Sequence, residues 1–217
     1  MNTVRAARRP AGKICGCLSR MAVPLAFLFL LPGCGGSGED EVSPTGKGTN
    51  TSFVAAQNPA CARADLVSLQ EASAVGSVVN VDIIVTDCDA SLLLNGFNFE
   101  IPFDDTLVDF IGCNNGNLFP SAQLVPGTPA CFANGGDLVG TIAMQLPAST
   151  RVPAAGQVTI LRLTFSVRGR GVNSAADFAG KDSQGGTTLF FADQATQAPT
   201  FHVLGASGYS GGSFISN

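Results

Sequence analysis

Three stretches of this chain alternate apolar and polar residues with a period of two, a pattern that extended strands with one buried face produce. In 77–87, Val79, Val81, Ile83 and Val85 fall on one side. In 93–103, Phe97, Phe99, Ile101 and Phe103 do the same, while Gly96, Asn98 and Glu100 face the other way. In 157–168, Leu161, Leu163, Phe165 and Val167 point inward and Arg162, Thr164, Ser166 and Arg168 outward. Further strands are predicted at 63–70, 107–112, 138–146, 187–192, 201–204 and 212–216, with Gly- and Asn-rich turns such as Asn95-Gly96 and Gly135-Gly136 between them. Only 174–178 reads as a single helical turn. About nine strands over some 160 residues imply an all-β, two-sheet, jelly-roll-like sandwich. The 205–212 segment, with Tyr209 among glycines, reads as a mobile or contact loop before the last strand.

The N-terminal part obeys different rules. Its first twenty residues carry Arg5, Arg8, Arg9, Lys13 and Arg20 without an acid, and an apolar run follows from Met21 to Leu31. That run falls short of the about 20 residues a spanning helix needs and reads as the core of a secretory signal. Leu31-Pro32-Gly33-Cys34 resembles the lipobox of bacterial lipoproteins. The resemblance implies cleavage before Cys34 and lipidation of its thiol. The expected organisation is a signal peptide over 1–33, the lipidated cysteine and a flexible tether over 34–57, and a folded domain over 58–217. The tether is rich in Gly, Ser, Thr and Asn, with too little apolar surface to fold.

Loss of 1–33 leaves seven basic against sixteen acidic residues, net −9. Such a body repels nucleic acid and anionic membrane surfaces, so membrane attachment is expected through lipid. Gly35 after Cys34 fits outer-membrane sorting in a two-membrane cell; in a one-membrane cell the anchor holds the outer face of the plasma membrane.

Of seven cysteines, Cys15 and Cys17 leave with the signal and Cys34 takes lipid. Cys61, Cys88, Cys113 and Cys131 remain, an even number in an oxidising compartment. A hairpin of 63–70 with 77–87 turning over 71–76 pairs residues whose numbers sum to about 149, which joins Cys61 to Cys88. Cys113 and Cys131 then close the Asn- and Pro-rich segment between two later strands. The other two connectivities remain possible on sequence alone.

The segments "VGSVVNVDIIVTD", "NGFNFEIPFDDTLVDFIG" and "GQVTILRLTFSVRGRG" occur in the order that cohesin domains and related carbohydrate-binding modules show. This region, roughly 65–172, resembles a cohesin, although immunoglobulin-like and fibronectin-like sandwiches share parts of the pattern. The resemblance implies a nine-stranded sandwich that binds a protein partner through one sheet face, dockerins in the cellulosomal members. Gly96 and Asn98 fall where dockerin-binding members often carry Asn and Asp, and Gly96 departs from that pattern by offering no side chain.

Few residues suit chemistry. His202 is the only imidazole and no Gly-x-Ser-x-Gly elbow accompanies it, so a hydrolase is the weakest reading. Asp87, Asp89, Asp104, Asp105 and Asp109 fall near strand ends; they suit turns better than calcium, since no Asp-x-Asp-x-Asp-Gly loop is present. No cofactor is expected beyond that faint calcium signal. Fifteen Phe, one Tyr and no Trp leave only Tyr209 as a sugar-stacking ring. The expected binding residues are therefore Asn98 and Glu100 on an outward strand face, and Tyr209. The expected partner is an envelope or extracellular protein, with a polysaccharide as the alternative.

Overall fold

A computed structural model describes residues 50–58, 66–88, 92–153, 156–181, 186–192, 199–202, 204 and 206–217. The signal, Cys34, most of the tether, Cys61 and Asp89 lie outside the described residues. Fifteen strands are seen among those described: β1 Thr51–Ala55, β2 Leu66–Val75, β3 Val78–Asp87, β4 Leu93–Leu94, β5 Gly96–Pro102, β6 Val108–Asn115, β7 Ala130–Asn134, β8 Asp137–Ala143, β9 Thr150–Arg151, β10 Gly156–Val167, β11 Asn173–Ala176, β12 Thr188–Ala192, β13 Pro199–His202, β14 Tyr209–Ser210 and β15 Gly212–Ser216.

Two five-stranded sheets form the layers, ordered β14-β2-β3-β10-β6 and β13-β12-β5-β8-β7. A three-stranded sheet, β1-β15-β11, and the short pair β4-β9 complete the fold. The alternation predicted for β3, β5 and β10 is met: Val79, Val81, Ile83, Val85, Phe97, Phe99, Ile101, Leu161, Leu163, Phe165 and Val167 are buried together in one core. Rings tie the layers: Phe165 of β10 meets Phe103, at the end of β5, edge to face with centroids 6.0 Å apart, and Phe214 of β15 at 4.8 Å.

Several expectations are corrected. The 50–57 segment, read as tether, contributes β1, which pairs with β15 from Thr51↔Ser216 to Ala55↔Gly212. Phe53 there is buried against Phe214, centroids 5.0 Å apart. Its short run of alternation is hidden by the polar residues around it, and only the partner strand reveals it. The 174–178 segment is not a helical turn, since β11 covers Asn173–Ala176 and pairs with β15.

The β2–β3 hairpin turns tightly at Gly76, whose φ of 62° suits a residue without Cβ. Its register therefore runs Leu66↔Thr86 to Val75↔Val78, with a bulge between Glu71 and Ser73, rather than summing to 149. The sequence argument for Cys61–Cys88 loses its basis, and that pairing lies outside the described residues. Cys113 and Cys131 are bonded as expected, their Cα atoms 6.2 Å apart. The bond joins β6 and β7, the edge strands of the two large sheets on one side of the sandwich. A bridge spanning 18 residues contributes about 3 kcal/mol in the chain-entropy account.

Phe53→Ala is expected to lower unfolding free energy by about 3–5 kcal/mol, the usual cost of emptying a buried ring site. Urea denaturation checks this; a loss below about 1 kcal/mol would return β1 to the tether.

Candidate interaction surface

Strand alternation in β5, β8 and β7 sends one set of side chains outward from the second large sheet. Antiparallel register aligns them in rows: Asn98 with Thr141 and Ala130, and Glu100 with Val139 and Phe132. These residues, with Gly186 from the segment beside β12, line a shallow cavity of ≈ 240 Å³. The structure thus brings together Asn98 and Glu100, two of the three residues proposed from sequence.

The β7 edge of this face is apolar. Phe132 is 62% exposed although it is a full aromatic ring, and it stands directly across from Val139. Its orientation follows from its neighbour: Cys131 points inward to meet Cys113, so the next residue must point outward. The hairpin joining β7 to β8 closes through Gly135 and Gly136, with φ of 59° and 89°, the positive angles that a tight two-residue hairpin turn demands. The expected Gly135-Gly136 turn is therefore present.

Beneath the surface, Gly140 lies opposite both Phe99 and Cys131. A Cβ there would approach the Phe99 ring within 2.3 Å, so glycine is what lets the ring lie flat under β8. At the opposite side of β5, the Glu100 N–H donates to Thr187 Oγ1 (3.2 Å) and the Ala179 N–H donates to the Glu100 carbonyl (2.8 Å). The backbone of Glu100 is thereby held, while its carboxylate makes no hydrogen bond or ion pair among the described residues.

Tyr209, the third proposed residue, does not join them. It is 2% exposed and packs edge to face on Phe178, centroids 5.8 Å apart. The 205–212 segment is correspondingly not a projecting loop in its described part: it holds a short 3-10 turn and β14, which pairs in parallel with β2. Burial pushes the Tyr209 hydroxyl above its ordinary pKa, with backbone near Leu189 and Leu204 opposing the shift. The hydroxyl itself has no partner at full hydrogen-bond geometry.

The strand-end acids serve local structure. Asp104 Oδ1 accepts from the Thr106 hydroxyl (2.6 Å) and N–H (2.9 Å), which lowers its pKa. Asp109 pairs with Arg168 and is lowered by that guanidinium. Asp87 Oδ2 accepts from the Leu92 N–H at 2.8 Å. No group of three or more potential metal ligands occurs among the described residues. His202 lies in β13 opposite Leu189 in backbone register. Sequence reasoning missed Phe132; the available signal was its position beside a disulfide cysteine and just ahead of a Gly-Gly hairpin.

No family model and no curated protein matches the chain. Among solved structures, it is similar to CaCohA2 from Clostridium acetobutylicum, with a TM-score of 0.48 at 13% identity over 71% of this chain and 90% of that one. It is also similar to a type II cohesin from the cellulosome of Acetivibrio cellulolyticus (TM-score 0.45, 14% identity, 64% and 88% covered). A non-cellulosomal cohesin from the archaeon Archaeoglobus fulgidus gives 0.41 at 12% identity, covering 64% and 83%.

Two outcomes are expected. Gly140→Ala should destabilise the chain by about 1–3 kcal/mol through overpacking against Phe99, read by thermal unfolding. Tyr209 is the only tyrosine in a chain without tryptophan, so tyrosinate absorbance reports it alone. Because its folded pKa is raised, the stability it contributes is present below the ordinary pKa of about 10 and lost as pH rises through the folded value. The absorbance midpoint should therefore exceed 10 and fall back toward 10 in urea. A midpoint at 10 in both states would contradict the burial.

Proposed function

We propose that this chain is an exported, lipid-anchored binding module of the cell envelope. The outer face of β5, β8 and β7 docks a protein partner. The observation that carries this reading is Phe132: a large ring left exposed on edge strand β7, directly across from Val139, with Asn98, Glu100 and Thr141 on the adjoining strands of the same face. Aromatic residues are enriched in protein contacts. The partner is expected to place an apolar side chain over Phe132 and Val139 and a hydrogen-bond donor or basic group toward Glu100. The cohesin resemblance in the sequence points to the same kind of activity, and the reading assigns no catalysis.

Attachment rests on the Leu31-Pro32-Gly33-Cys34 motif behind a short apolar run. Burial of acyl chains contributes about 0.8 kcal/mol per methylene, so two or three chains hold a protein where one is marginal. In a two-membrane cell the site is the outer membrane, and in a one-membrane cell the outer face of the plasma membrane.

Two measurements test the two halves separately. A photo-crosslinking amino acid at position 141, on the same face as Phe132, is expected to trap a discrete partner in cells, and the same group at position 84, on the other sheet's outward side, is not. Equal yields from both positions, or none from 141, would remove the docking face. Phe132→Ala should weaken the trapped complex by at least tenfold, the scale of losing an aromatic contact residue. Labelled palmitate should enter the wild-type chain and not Cys34→Ala; labelling of both would refute the anchor.

A further inference from the structure

The outer surface of the other large sheet carries a second, chemically different feature. Strand β10 slips by one residue against β3 between Thr159 and Leu161, leaving the buried Ile160 outside the pairing. This bulge turns Thr159 and Arg162, three residues apart, to the same outward side. Both then reach Asp82: Arg162 Nε and Nη2 donate to its two oxygens at 2.7 and 2.9 Å, and the Thr159 hydroxyl donates to Oδ2 at 3.2 Å.

Across from them, β6 ends in Asn114-Asn115 and the chain continues through Gly116-Asn117, with Asn114 opposite Arg162. The chain passes very close to β10 here, since a Cβ on Gly116 would lie 2.0 Å from the Thr159 carbonyl oxygen. The Gly116 N–H donates to the Ile160 carbonyl and the Asn117 N–H to that of Thr159. In return the Thr159 N–H donates to Asn117 Oδ1 at 2.8 Å. The result is a cavity of ≈ 370 Å³ lined by Asn114, Asn115, Gly116, Asn117, Thr159 and Arg162.

Its unused hydrogen-bonding capacity defines what it takes. The Asn114 amide makes no bond among the described residues, and Asn117 spends its oxygen but not its Nδ2. Arg162 retains Nη1. Asn115 donates from Nδ2 to the Phe119 carbonyl and Ser121 Oγ, while its Oδ1 is buried without a partner. Charge does not favour an ion: Asp82 neutralises Arg162, and no other charged residue lines the cavity. Several fixed donors and acceptors with no net charge match neighbouring hydroxyls, which donate and accept at once.

We propose that this cavity is a subsite for a neutral saccharide, engaged through Asn114, Asn117 and Arg162. It is independent of the protein-docking face on the other sheet. Because no aromatic ring lines it, binding rests on hydrogen bonds alone and is weak, with Kd on the order of 1 mM.

Saturation-transfer NMR on the full chain, held in a detergent without a sugar headgroup, tests this with cellopentaose, xylopentaose and mannopentaose as probes. Transfer to at least one is expected, with Kd raised about tenfold in Asn114→Ala, which removes two hydrogen bonds of ordinary strength. That substitution breaks no bond within the protein, so the melting temperature should not move. Phe132→Ala should leave saccharide binding intact, which separates this site from the docking face. Absence of transfer from all three probes overturns the proposal, as does equal transfer to wild type and Asn114→Ala. Displacement of the saccharide by inorganic phosphate also overturns it and makes Arg162 an anion site.

Discussion

Phe165 occupies the point where the three larger sheets meet. Its ring touches Phe103 after β5, Phe110 on β6 and Phe214 on β15, with centroids 6.0, 5.6 and 4.8 Å away. Through Phe214 the contact extends to Phe53, so the first and last strands are tied to the centre of the molecule. Aromatic pairs in edge-to-face geometry add about 0.5–1.5 kcal/mol each beyond the area they bury. More important is placement: a ring shared by three sheets sets their relative positions. Strand β10 carries it, and β10 slips once against each of its neighbours, at Thr159/Leu161 and at Thr164/Phe165. Such bulges increase local twist, and here one of them also shapes the polar cavity.

The two large sheets present outer faces of opposite character. The face of β3 and β10 is laced by cross-strand polar bonds, Arg162 to Asp82 and the Thr164 hydroxyl to Asn80 Oδ1 at 2.8 Å. With those pairs made, this part of the face stays hydrated and offers little to an apolar partner. The face of β5, β8 and β7 instead exposes Phe132 with Val139 beside it. A partner gains by covering that ring and loses little by displacing the water around it.

The Cys113–Cys131 bond links these features. It closes one open side of the sandwich by joining edge strands that no hydrogen bond connects. It also holds the register of β7, because a one-residue slip would turn Cys131 outward and Phe132 into the core. A disulfide in this role suits an oxidising compartment.

Local geometry was legible in the chain itself. Val79 to Val85, Phe97 to Ile101 and Leu161 to Val167 declared strands and their buried sides because side-chain direction alternates with backbone geometry alone. The Gly135-Gly136 turn and the outward direction of Asn98 and Glu100 follow from the same local rules. The all-β class and the cohesin resemblance rest on these segments, whereas Cys113 with Cys131 was expected only as the pair left over from a Cys61–Cys88 argument whose register the structure does not keep. What tertiary structure decided was everything that depends on a distant partner. Thr51–Ala55 is a strand only because Gly212–Ser216 lies beside it. Tyr209 is core because Phe178 covers it, although its glycine neighbours read as a loop. Phe132 is surface because nothing described covers it, although its composition reads as core. Thr159 and Arg162 share a face only because β10 slips against β3. Periodicity says which way a side chain points from its own strand; only the packing of strands far apart in sequence says what, if anything, it meets there.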